Sequence, residues 1–285
     1  MYKLTLENQD GQQIVFNQIG GAFTITDISG LYPPSATINT NTTALIDGAR
    51  FNSSKINMRT INLAFAIEKN AESSRIQAYN VIQIKQPIRM YYQSPLRDVF
   101  IDGYVESFEI SHFEMKQIAT VTILCPFPHF KNAQEVINEL SIVQDMFYFP
   151  FASTEEPDIV FGEIDTVRST TVDNDGTVET GLIFELYARS EITNPRIFNY
   201  ITQDFIGLNF EMQAGDLITI NTMQGEKTVT LLREGTTTNI FNYVMQNSTW
   251  LQLPAGGGTF VYTVESGLQT NLEVTISHYD LYEGV

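Results

Sequence analysis

Cysteine is almost missing from this chain of 285 residues: there is one, Cys125. A single thiol excludes an intrachain disulfide and any zinc site built on several thiolates, and the run Leu124-Cys125-Pro126-Phe127 marks it as a buried, inert side chain. No stretch approaches the ~18 apolar residues that cross a bilayer as a helix. The opening residues 1–16 alternate like a strand, with no charged region leading into an apolar one. No secretory signal is therefore expected, and the protein is expected to stay in a reducing cytoplasm until it is assembled or released. The three histidines, His112, His129 and His278, stand apart, without the HxH or HExxH spacing of a metal centre. His112 falls in a strand pattern and His129 in a proline-broken stretch, so both are read as structural. GxSxG elbows, P-loops and GxGxxG turns are absent, and Cys125 has no neighbouring base. No residue is expected to catalyse, to hold a cofactor or to bind a metal.

Basic residues are few, and fewest in the second half. The formal charge is -17, with 11 Lys plus Arg against 13 Asp plus Glu in residues 1–140 and 5 against 20 in residues 141–285. Such an acidic half repels a phosphate backbone, which argues against nucleic acid as a partner. A glycosidase needs two carboxylates about 5 to 10 Å apart across a cleft; acidic residues this numerous are read instead as a solvated face. Asp173-Asn174-Asp175-Gly176, with Glu179 beyond, has the composition of a calcium loop but fails its spacing, since an EF-hand needs glycine at position 6 and glutamate at position 12, where this chain has Phe184. The turn-forming reading is preferred.

What the chain has is punctuated alternation. Residues 172–181 predict a hairpin turning at Asn174-Asp175-Gly176, and similar glycine turns precede residues 217–223, 227–232 and 259–264, which together predict a β-sandwich. At the other end, residues 2–16 predict a hairpin around Gln9-Asp10-Gly11. Residues 17–50 are rich in Gly, Thr, Asn, Ser and Pro, with the break Leu31-Tyr32-Pro33-Pro34. They are read as a long surface loop or, more sharply, as an extended arm that orders against another subunit, with Leu31, Tyr32, Pro33, Pro34 and Ile38 as candidate interface residues. In residues 58–67 the alternation puts Arg59, Ile61, Leu63, Phe65 and Ile67 on one apolar face. Residues 70–84 predict a helix capped by Asn70, with Ile76, Tyr79 and Ile82 sharing a face and Pro87 forbidding continuation. Three strand candidates follow, with Asp102-Gly103 as a turn or bulge inside the second. Pro126 and Pro128 end the sheet. Residues 132–151 are ambiguous: Ala133, Val136, Ile137, Leu140 and Val143 have helical spacing, while the aromatic run Phe147, Tyr148, Phe149 and Phe151 suits an extended segment that caps a core or marks a subunit contact. This gives a domain at 1–131 carrying the arm 17–50, a connection at 132–151 and a second domain at 152–285.

The ordered series CPFPHFK, FYFPF, VDNDGTVETGLIFEL, NPRIFN, AGDLITINT and SHYDLYEGV resembles the siphophage distal tail (Dit) family, also called the phage tail component family. The resemblance spans essentially the whole chain. It implies a mostly β protein: an N-terminal β-barrel-like domain with one helix, which builds a hexameric ring, then a C-terminal galectin-like β-sandwich, a jelly roll, around its outside. The implied function is that of a virion structural protein with no enzymatic activity. The ring would be a hub joining the tail tube protein to the tail-tip or baseplate hub proteins in the virion tail or a phage-like particle, assembled in the bacterial host cytoplasm without nucleic acid or membrane. The alternative is a carbohydrate-binding adhesin module that uses the sandwich. Its platform would be Trp250, the only tryptophan, whose alternation does not fix its face and which is preferentially read as core.

Overall fold

The computed structural model describes residues 2–17, 21–42, 47–114, 116–140, 142–144, 163–165 and 169–285. The mostly β architecture expected from the sequence is the one the chain adopts. It divides into two compact units, residues 1–133 with 281–285, and residues 134–280. The last five residues thus belong with the first unit, although the sequence reading groups them with the second.

The first unit is an antiparallel sheet that nearly closes on itself. β1 (Lys3–Asn8) and β2 (Gln13–Phe16) form the expected hairpin, Leu4 facing Phe16 and Leu6 facing Ile14. β3 (Phe23–Ser29) comes next, and the ribbon strands β4 (Ala36–Asn41) and β5 (Arg50–Ile56) pair only with each other. β6 (Arg59–Ile67), α1 (Ala71–Val81), β7 (Pro87–Gln93), β8 (Asp98–Ile110), β9 (Gln117–Cys125) and β10 (Phe130–Asn132) follow. The sheet order is β2-β1-β7-β8-β9-β6-β3. Asn17, in the left-handed region at φ 53°, stitches its two ends: its N–H donates to the Phe23 carbonyl at 3.0 Å, and its Oδ1 accepts the Ile25 N–H at 2.9 Å. The apolar face predicted for β6 points inward, where Phe65 meets Phe16 and Phe23 edge to face at 5.0 and 5.8 Å.

Several local expectations for this unit are corrected. Part of the stretch read as an arm, β3, is integral to the sheet and puts Phe23 in the core. α1 buries Ser74, Ala78 and Val81, with Ile82 just beyond, while Ile76 and Tyr79 are half exposed. The small side chains of Ser74 and Ala78 allow closer approach to the sheet. Asn70 is left-handed and makes no side-chain cap. His112 follows β8 in an exposed bend and lies outside any strand. β8 also runs straight through Asp102-Gly103, and its irregularity lies between Val105 and Ser107. Glycine serves close packing at position 103, where a Cβ would stand 2.6 Å from Ile123 Cγ2 and 2.9 Å from Cys125 Sγ. Cys125 is buried, and burial pushes its pKa up to about 12, the inert thiol expected.

The second unit is a sandwich. One antiparallel sheet orders Val136–Glu139, Leu272–His278, Ile183–Ala188, Leu217–Asn221, Thr228–Arg233 and Thr236–Asn239, and another orders Ser169–Val172, Gly258–Thr263, Arg196–Asn199 and Phe205–Gly207. Alternation builds the shared core: Phe184, Leu186, Ile218, Ile220 and Ile276 come from the first sheet, Ile197, Ile206 and Phe260 from the second. The short pair Ile142–Gln144 and Glu163–Asp165 lies in the same unit. Residues 136–139 are a strand despite helical spacing, because the edge of Leu272–His278 offers them a backbone ladder. Phe147, Tyr148, Phe149 and Phe151 lie outside the described residues.

Residues 172–181 do not form the predicted hairpin. Ser169–Val172 pairs with Gly258–Thr263, whereas Thr180–Gly181 pairs with Gln252–Leu253. Asn174 is the reason. Its side chain is buried and bonded to three carbonyls of two segments, which pulls the turn into the sandwich end instead of letting it close a hairpin.

Candidate functional site

The β4–β5 ribbon has two unlike faces. Ala36 faces Ile56, Ile38 faces Ser54 and Thr40 faces Phe51, which makes one side apolar; Thr37 faces Lys55, Asn39 faces Ser53 and Asn41 faces Arg50, which makes the other polar. Polar-face bonds run from Asn39 Nδ2 to Ser53 Oγ at 3.0 Å and from Thr37 Oγ1 to Asn57 Oδ1 at 2.9 Å. Every residue of both strands is exposed, so the unit's core covers neither face. Alternation of this kind normally accompanies burial of one face, and a lone two-stranded ribbon is marginally stable in water. The arrangement therefore has the form of half an interface.

The candidate interface residues divide between the ribbon and its root. Leu31 is half-buried, packs on the core and accepts the Val285 N–H at 3.2 Å. Tyr32 and Pro33 are exposed and Pro34 is half-buried; Ile38 alone of the five is on the ribbon, 63% exposed. Sequence reasoning missed the second strand, where Phe51 and Ile56 complete the apolar face.

The root is fixed by Arg59, a charged member of an inward apolar face. The residue is 3% exposed, and its guanidinium donates to the carbonyls of Gly30 (2.6 Å), Tyr32 (2.8 Å), Pro128 (2.7 Å) and Glu283 (2.5 Å) and stacks over the Phe130 ring at 4.6 Å. One side chain thus ties together the lead-in to the ribbon, the end of the sheet and the C-terminal residues.

Beside the root lies an apolar groove of about 320 Å3, lined chiefly by Tyr2, Leu4, Ile25, Ile28, Leu31 and Tyr92. The bulge in β3 between Ile25 and Asp27 lets both Ile25 and Ile28 reach it.

In the second unit the residues considered for chemistry have structural partners. Asp216 is buried and held by Arg233, whose Nε and Nη2 donate at 2.7 and 2.5 Å; this keeps its carboxyl below the usual range, the opposite of what a general acid needs. Trp250 is half-buried against the core, stacked on Phe241 at 5.4 Å with Lys227 Nζ 5.4 Å from its ring centre. In the acidic turn, Asn174 is spent on backbone bonds and the Asp175 N–H donates to Asp280 Oδ1 at 3.1 Å. Among the described residues no group of three or more His, Cys, Asp or Glu could hold a metal ion.

His129 and His278 are both buried, and in both burial pushes the imidazole pKa down; for His278 the nearby Asp280, Oδ1 3.4 Å from Nε2, offsets part of this. A folded pKa below the unfolded ~6.5 means that the unfolded chain binds more protons on acidification. The stability these residues contribute is complete above that pH and declines below it, by up to about 1.4 kcal/mol per pH unit for each histidine. Urea midpoints at pH 7.5 and 5.5 should show the loss, and His278→Gln should flatten the second unit's profile. An unchanged profile would mean that His278 is not held neutral.

Residues 175–280 match the family model described as the siphovirus-type tail component, C-terminal domain. The fold is similar over almost the whole chain to the crystal structure of the SPP1 Dit protein, described as a paradigm of the hub adsorption apparatus in phages infecting Gram-positive bacteria. That match has 13% identity, a TM-score of 0.68 and 98% coverage of both chains. The phage P2 baseplate in its activated conformation matches with calcium at 13% identity and TM-score 0.53, and with strontium at 14% and 0.51, each covering 97% of this chain and 98% of that one. No curated protein matches. The resemblance to distal tail proteins read from the sequence is borne out.

Proposed function

We propose that this chain is the hub subunit at the distal end of a siphophage-type tail. Copies assemble head to tail into a ring, six in number, that joins the tail tube to the tail-tip or baseplate proteins in the virion. It works by contact, without chemistry of its own. The observation that carries this reading is the likeness to a hub protein over 98% of both chains, which spans both units. An unpartnered amphipathic ribbon adds what a ring subunit needs, a surface complete only in an assembly. The adhesin reading through Trp250 has less support, because its ring already stacks on Phe241. The purified protein at micromolar concentration is expected to show ring-shaped particles in negative stain and about six times the chain mass by light scattering. Monomers alone would overturn the proposal.

A further inference from the structure

The first unit carries two unlike and uncovered apolar surfaces, one raised and one hollow. The raised one is the ribbon face bearing Ile38, Phe51 and Ile56; the hollow one is the groove between Tyr2, Leu4, Ile25, Ile28, Leu31 and Tyr92. Resting on the ring reading, we infer that the groove of each copy receives the apolar face of the ribbon of the next.

Three observations support this pairing. Unlike patches on one chain give a heterologous, head-to-tail contact, the kind that closes rings; a self-complementary patch would give only a two-fold dimer. The groove has the volume of a binding pocket, but its polar groups are limited to tyrosine hydroxyls, Asn17 and Lys3, so it suits hydrocarbon side chains better than a polar ligand. Charge favours a second copy of this chain as the occupant. Outside the ribbon strands the first unit holds 9 Lys plus Arg against 12 Asp plus Glu, whereas the ribbon strands carry Arg50 and Lys55 and no acid. Both cations lie on the polar face, so seating the apolar face does not bury them. The ribbon is thus attracted by the negative field of a neighbour while its hydrophobic side is desolvated.

The placement is tested by crosslinking the whole protein. Tyr2 at the groove and Ile38 on the ribbon are 66% and 63% exposed, so cysteine at either position leaves the core intact. Cys125 is buried with its pKa pushed up to about 12 and does not compete for reagent. With a short bis-maleimide, the double variant Tyr2→Cys, Ile38→Cys is expected to give a ladder of covalent dimers, trimers and higher species, and each single variant none. Light scattering on the same samples separates the two levels of the argument. An oligomer without a ladder, or a dimer from Ile38→Cys alone, overturns the ribbon-in-groove contact and leaves the ring standing. A protein that is monomeric throughout overturns both.

Discussion

Replacing Arg59 with methionine is expected to destabilise the first unit by about 3 to 5 kcal/mol, the range for removing one partner of a buried charged network. Methionine fills much of the volume and keeps contact with the Phe130 ring, so the loss is one of hydrogen bonding. Four carbonyls, those of Gly30, Tyr32, Pro128 and Glu283, lose their donor, and the Gly30 bond is fully buried. The cage is made of backbone dipoles, four carbonyls converging on one guanidinium. Lysine is not a conservative choice here. It keeps the charge but lacks the planar fork that reaches several carbonyls at once, so Arg59→Lys should recover only part of the loss. For a unit of this size the methionine variant should melt roughly 10 °C or more below the parent. Because Arg59 also fixes the ribbon lead-in and the C-terminal residues, limited proteolysis should cut near residues 30–35 and 283–285 sooner than in the parent. A midpoint within about 1 kcal/mol of the parent would show that water replaces the guanidinium at no great cost.

The Arg59 cage also shows where sequence reasoning reaches its limit. Alternation correctly put Arg59 on the inward face with Ile61, Leu63, Phe65 and Ile67, because strand period two is a local property. It could not supply the four carbonyls, which come from segments up to 224 residues away. The ribbon was half legible for a different reason. Ala36 and Ile38 keep period two, but the bulge at Asn52 puts Phe51 and Ile56 five residues apart on one face, a spacing that reads as no face at all. In residues 136–139 the pattern fits both periods. The outcome is decided by the free edge of Leu272–His278, far along the chain. Glu234-Gly235, both at positive φ, turns Thr228–Arg233 into Thr236–Asn239 where the sequence offered only a lone glycine after a charge. The sandwich itself was legible because its inward positions, such as Phe184, Leu186, Ile218 and Ile220, repeat faithfully between glycine turns.

The acidic turn yields the second large effect. Asn174 is 3% exposed; its Nδ2 donates to the carbonyls of Val178, Leu253 and Pro254 at 3.1, 3.2 and 3.1 Å, and its Oδ1 accepts the Gly176 N–H at 2.9 Å. An amide is the group that fits, since it presents donors to the carbonyls and an acceptor to the turn. Asn174→Ala is expected to cost about 3 kcal/mol, because it leaves buried carbonyls without a donor. Asn174→Asp is expected to cost at least as much although its shape is closer, since a carboxylate oxygen then faces three carbonyl oxygens. Urea unfolding of the two variants gives the order directly. This order separates the turn from a metal loop: in a calcium site aspartate would be the better ligand, and Asn174→Asp would be stabilised by added calcium. A calcium-dependent rise in its midpoint would overturn the assignment of Asn174 as the hydrogen-bonding hub that joins Val172–Val178 to Leu253-Pro254.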